Sequence, residues 1–281
     1  MKNIIRIFLL ATPFFIPHFT GSSNVGDFLT AVSLLFAILA GFFIAAATSN
    51  YLRHQTLIAS ENAAIISIAG LAKKIDPANS DKVVETIDVY MIAILDYDLL
   101  DYPQKTKREF DMFIDAIDSI TPSNNPQASI YQNLHDQKAN LLAINQESYL
   151  TAKKIVGPLH WFVISLLACL VAALLLILRD GTLVSSLVTG VLILGVFEIL
   201  ELIRIIDSNQ FLATKIAFES PQEVFRSIGR LNYYPSFAVK NKTRDLPARY
   251  RLGVYKDYPH SLNKEIKIIQ SEESNSFENN D

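Results

Sequence analysis

Three ionisable side chains interrupt an apolar run. In VLILGVFEILELIRIID, residues 191 to 207, Glu198, Glu201 and Arg204 stand among residues that otherwise suit a bilayer interior. A charged side chain at the bilayer centre costs about 2.5 to 3.5 kcal/mol on insertion scales, so three of them need a reason: an ion path, a bond between helices, or nearness to water. Counted from Thr182 at 1.5 Å per residue, Glu198 falls about 24 Å along a helix, Glu201 about 28 Å, and Arg204 beyond a core of about 30 Å. Glu201 and Arg204 are therefore expected at the interface. Glu198, one turn further in, is expected to face protein or pore water rather than lipid, because desolvation would otherwise cost several kcal/mol or neutralise it. Leu187, Gly190, Leu194, Glu198, Glu201 and Ile205 share one helical face, so this row is only partly polar.

Other reactive residue types form no chemical constellation. Asp96, Asp98 and Asp101 in LDYDLLDYP resemble a calcium loop only superficially, because the turn glycine is missing and the twelfth position is Lys107 instead of Glu. His18, His54, His135, His160 and His260 have no metal-ligand spacing, and no Ser or Cys stands with a base in a catalytic context. The single cysteine, Cys169, allows neither a disulfide nor a thiolate site. Lys and Arg are scattered and the formal charge is only -3, which points away from nucleic acid. The chain is read as a non-enzyme without cofactor or metal.

The elements that carry these residues are mostly membrane helices. Half of the 281 residues are hydrophobic and the mean hydropathy is +0.25, with the excess concentrated in residues 4 to 17, 28 to 48 and 159 to 206. Residues 28 to 48, FLTAVSLLFAILAGFFIAAAT, carry no charge and are long enough to span. Residues 159 to 178 form a leucine-rich span entered through Gly157-Pro158, with Trp161 at the interfacial level. The connection RDGT is so short that 183 to 206 must return as an antiparallel hairpin. The opening segment, 4 to 20, reads as a short span kinked by Pro13 and Pro17. Its length and basic start also fit an uncleaved anchor or a signal-peptide core.

Lys2, Arg6, Arg53, Lys153, Lys154, Lys215 and Arg226 flank one side of these segments, whereas TGSSNVGD at 20 to 27 has no Lys or Arg and the hairpin turn only Arg179. The positive-inside rule then makes both termini and the middle region cytoplasmic, in a multi-pass protein of the inner membrane.

The polar segments read as helices. The first long span should run on unbroken to Asp76-Pro77, followed by helices over about 81 to 100 and 104 to 120, a loop at 121 to 126, and a helix over 127 to 156 leading straight into the leucine-rich span. Ile130, Leu134, Leu141, Ile144 and Ile155 mark one face of that helix. Ser220 should cap a short helix, with Pro221 at its first position and Glu223 completing a capping box. Residues 249 to 270 suit a small hairpin or an extended arm, and the acidic SEESNSFENND at 271 to 281 suits disorder. The division is thus 1–50, 51–157, 158–207, 208–270 and 271–281.

Within the first long span, Ser33, Ala37, Gly41, Ala45 and Ser49 repeat every four residues, a row that admits another backbone closely: either ordinary helix packing or a subunit-contact or pore-side face. Phe36 and Phe43, a heptad apart, are candidates for an apolar constriction, the alternative being core or lipid-facing packing.

GFFIAAA in this span, then SENAAIISIAGLAKKI, IDVYMIAILDYD, the LHW opening the hairpin, IIDSNQF and SPQEVF together resemble the bestrophin-like family of bacterial membrane proteins over roughly residues 30 to 232. Glu61, Tyr90, Trp161 and Asp207 match positions of that pattern, although no proline follows the aspartate in DSNQF. The family is distantly similar to the bestrophin anion channels, so the resemblance implies an all-α integral membrane protein. It would have three or four transmembrane helices, a helical cytoplasmic bundle forming a vestibule, and a homopentamer whose pore is lined by one helix per subunit. Small inorganic ions would permeate. The acidic calcium clasp of animal bestrophins has no counterpart here. A non-conducting scaffold or sensor, whose cytoplasmic helices bind a protein partner, is the alternative.

Overall fold

A computed structural model of the chain describes residues 2–17, 24–97, 101–122, 127–152, 155–208, 216–239, 246–258 and 260–270. The acidic tail 271 to 281, residues 20 to 23 of TGSSNVGD, the loop residues 123 to 126, and Lys153, Lys154 and Lys215 lie outside the described residues. The fold is mainly helical and divides into two compact units, Met1–Leu52 with Lys154–Gln210 and Arg53–Lys153 with Phe211–Asp281.

The first unit is apolar. Helix α1 (Lys2–Phe15) contains Pro13 and, at about 1.5 Å per residue, reaches only about 21 Å, short of a hydrocarbon core. Helix α2 (Val25–Ile75) is a single 51-residue helix, and α7 (Pro158–Leu178) and α8 (Leu183–Asp207) form the hairpin. These three are long and apolar enough to cross a membrane. The hairpin turn follows from its residues. Gly181 takes a φ of 81°, a left-handed conformation that glycine adopts without penalty. Asp180 accepts from the Thr182 N–H and hydroxyl at 3.0 and 2.8 Å, and the Thr182 Oγ1 in turn accepts from the Ser185 N–H at 3.2 Å, capping α8. The core of this unit joins Val32, Phe36, Ala40 and Phe43 of α2 to Ile164, Ala168, Val171 and Leu174 of α7 and Ile203 of α8.

In the second unit α2 ends at Ile75, directly before Asp76-Pro77, because the residue preceding proline is pushed out of helical geometry. Helices α3 (Ser80–Asp96), α4 (Tyr102–Lys105), α5 (Lys107–Asp118) and α6 (Gln127–Thr151) follow. The expected helix over 104 to 120 is broken at Thr106, whose hydroxyl bonds back to the Tyr102 carbonyl at 2.7 Å. The helix expected over 127 to 156 ends at Thr151 rather than running on into α7. Ile65, Ile68, Ile87, Phe113, Ile117, Leu134 and Leu141 anchor the core of this unit.

The capping role expected of Ser220 is corrected. Helix α9 (Ile216–Ser227) begins earlier and carries Pro221 inside it, and the Ser220 hydroxyl accepts from Asn62 Nδ2 at 2.6 Å. The chain then leaves the purely helical class. Strand β1 (Tyr233–Pro235), helix α10 (Ser236–Val239) and strands β2 (Arg249–Asp257) and β3 (Ser261–Gln270) build a sheet in the order β1-β2-β3, parallel then antiparallel. The hairpin of β2 and β3 was legible in the alternation. The parallel addition of β1 was not, because it pairs residues about twenty apart through the chain.

Candidate functional site

The apolar part of α2 presents distinct faces. Phe36 and Phe43 are only 4% and 3% exposed within the core of their own chain, in keeping with core packing, the alternative to a constriction. The ring of Phe43 packs edge-on to His160 of α7. On the opposite side of the helix Leu34, Ile38 and Phe42, at four-residue spacing, are 60%, 62% and 64% exposed. The small-residue row flanks the core: Ala37, Gly41, Ala45 and Ser49 are exposed and Ser33 half-buried, with no atom within 4 Å of a Cβ built at Gly41. Trp161 packs, partly buried, against the same core.

The carboxylate that opened the question has a partner that its own helix does not supply. Arg6 of α1 donates from Nε and Nη2 to the two Glu198 oxygens at 2.7 and 2.8 Å, a bidentate pair between helices. Glu201, whose side chain is 11% exposed, lies 3.6 Å from Arg204 one turn on. At the other end of α1, Arg179 donates to the Ile16 carbonyl at 2.6 Å. Between these ties, Gly190 of α8 meets the α1 backbone so closely that a Cβ there would stand 2.7 Å from the Leu10 carbonyl oxygen. Helix α1 thus runs antiparallel to α8, and two ion-bearing ends and one glycine hold it there. Asp207, at the end of α8, accepts from the N–H groups of Ile155 and Val156 at 2.9 and 3.1 Å and so fixes the approach to α7.

In the polar unit Glu61 of α2 is 2% exposed and accepts from the Tyr90 and Tyr102 hydroxyls at 2.5 and 2.9 Å. Burial lifts its carboxyl above the ordinary range, and the two phenol bonds pull it partly back. Burial, then the nearby Glu61 charge, raises both phenols well above the usual tyrosine value. Glu61 and Tyr90 belonged to one sequence pattern, and the fold brings them together. Tyr102 was not singled out.

A second buried carboxylate was missed as well. Asp96, considered only for calcium, accepts from the hydroxyls of Tyr233 (3.1 Å) and Tyr255 and from the ammonium of Lys264. Burial lowers the Lys264 pKa while Asp96 opposes the shift, and burial with the Asp96 contact raises those of Tyr233 and Tyr255. Eight residues earlier on the same helix, Asp88 takes Arg251 in a bidentate pair, both contacts at 2.7 Å. Asp101 pairs with Lys105 at 2.7 Å, and Asp98 lies outside the described residues. Among the described residues no group of His, Cys, Asp and Glu is arranged to hold a metal ion.

Against this geometry, three solved structures are similar. Two are variants of a bacterial bestrophin homologue from Klebsiella pneumoniae, each with a TM-score of 0.61 and 13% identity over 82% of this chain and 97% or 100% of theirs. The third, a crystal structure of a membrane protein, gives 0.62 at 13% identity over 82% of this chain and 99% of its own. At such identity the likeness is one of fold. No curated protein matches the chain. The Bestrophin-like domain matches residues 9–207, well over half of the sequence, and it is to this Bestrophin-like family that the chain belongs.

Proposed function

We propose that the protein is a homo-oligomeric ion channel, a pentamer by its resemblance to bestrophins, conducting small anions along an axis lined by α2. Both termini and the polar unit lie on the cytoplasmic side of the inner membrane in this reading, following the Lys and Arg distribution. The observation that carries it is the exposed row of Leu34, Ile38 and Phe42, opposite the face that α2 buries in its own chain. An apolar ring of such side chains gates by dewetting, because water and its ions leave a narrow hydrocarbon collar. The small residues beside that row allow a neighbouring subunit's helix to approach.

Bilayer recording on purified protein tests the constriction. Phe42→Ala should raise conductance or open probability several-fold over wild type by widening and wetting the collar. Equal currents would remove Phe42 from the path, and no current from either protein would favour a non-conducting scaffold. Oligomer contact is tested separately. Gly41 is exposed and a Cβ there meets nothing within 4 Å, so in Gly41→Leu the monomer fold should persist while native mass measurement shows fewer oligomers. An intact oligomer would mean that this row does not touch a neighbour.

A further inference from the structure

We propose that Glu61 is a proton-binding site, and that proton release from it loosens the packing of α2 against α3 and α4. The inference rests on geometry. Its carboxylate meets phenol hydroxyls from two different helices, Tyr90 of α3 and Tyr102 of α4, at 2.5 and 2.9 Å. Other neighbouring groups come from α2 itself and from α6. On α2 itself His54 is buried, its ring centroid 6.4 Å from that of Tyr102. From α6, Asn145 donates to the Tyr90 oxygen at 3.5 Å, while Glu147 pairs with Arg53. No Lys or Arg among the described residues pairs with Glu61, unlike Asp88 with Arg251 and Asp96 with Lys264.

Protonated, Glu61 donates through its hydroxyl to one phenol oxygen and accepts from the other phenol, so no charge is left in the apolar interior. Ionised, its proton having passed to bulk water, it leaves a negative charge in an apolar interior with two neutral donors only. Relief then comes from admitting water, which separates α2 from Tyr90 and Tyr102. The sign follows from linkage. A carboxyl whose folded pKa lies above its unfolded value contributes stability that is fully present below the ordinary carboxyl range. That contribution is lost as pH rises through the folded value.

This site deepens the channel reading, because α2 is one continuous helix whose apolar part carries the exposed Leu34, Ile38 and Phe42. The test is independent of current. In the full-length protein in lipid nanodiscs, infrared difference spectra taken as pH is raised from the ordinary carboxyl range should reveal a protonated-carboxyl band that persists above that range and then disappears. Over the same interval amide exchange should accelerate in α2 around Glu61 and in α3 around Tyr90. Glu61→Gln should abolish both changes, and Tyr102→Phe, which removes one donor to the charged form, should move the band's loss upward by about one to two pH units. Should the Gln variant not fold, the Tyr102→Phe shift alone decides. No band, a band lost without faster exchange, or an unshifted midpoint in Tyr102→Phe would each overturn the proposal. Absence of current would count against the channel reading alone.

Discussion

Asp96→Ala should lower the unfolding free energy of the polar unit by about 3 to 5 kcal/mol, the range seen when one partner of a buried ion pair is removed. The side chains of Lys264 and Asp96 are 15% and 7% exposed, and among the described residues no second carboxylate pairs with the ammonium to replace the one removed. Two phenols, Tyr233 and Tyr255, lose Asp96 in the same step; at 3.1 Å from each other only one can donate to the other, and the donor left unsatisfied adds its own desolvation penalty. Strands β1, β2 and β3 would then keep the Arg251–Asp88 pair and the buried ring of Tyr233 as ties to the core that α3 shares. The expected signature is faster amide exchange and earlier proteolysis within residues 249 to 270, with α7 and α8 unchanged. Asp96→Ala combined with Lys264→Met should recover much of the loss, since an apolar pair of similar volume tolerates burial better than a lone charge. A loss below about 1 kcal/mol in the single variant would show that water already solvates this lysine.

How much of this was legible follows the reach of the forces involved. The stop of α2 at Ile75 is local, because Asp76-Pro77 forbids helical continuation whatever surrounds it. The hairpin of α7 and α8 is equally local, since a four-residue link with Gly181 leaves no other path. What was hidden is of two kinds. Arg6 and Glu198 are 192 residues apart, Asp96 and Lys264 168, and Asp88 and Arg251 163, so no periodicity links them. The second kind is rotational. In a helix apolar all round, hydrophobic periodicity does not mark the core face, so Phe36 and Phe43 were as eligible for a constriction as Leu34, Ile38 and Phe42. Only the packing of α7 against α2 separates the two sets. Glu198 illustrates both effects. Its depth along α8 implied a need for a partner, and the partner came from a helix too short to be recognised as a firm span.

Gly190→Ala should destabilise the apolar unit, although helix propensity alone predicts the reverse. Replacing glycine by alanine in a helix interior normally gains up to about 1 kcal/mol through reduced chain entropy. At Gly190 the added Cβ would stand 2.7 Å from the Leu10 carbonyl oxygen and 3.4 Å from its carbon. Both are backbone atoms, so no side-chain rotation relieves the overlap. Helix α1 must move away, at about 1 to 3 kcal/mol for overpacking, and the geometry of the Arg6–Glu198 pair is disturbed with it. Overlap therefore exceeds propensity. Gly195, one turn and a half along the same helix, is the control, because a Cβ there meets nothing within 4 Å and Gly195→Ala should be neutral or stabilising. Thermal unfolding of the two variants in one detergent, together with exchange of the α1 amides, measures the difference. Valine at position 190 should enlarge it and release α1 altogether. If Gly190→Ala and Gly195→Ala shift the midpoint equally, α1 does not rest on α8 at Leu10, and the Arg6–Glu198 pair would have to hold that helix alone.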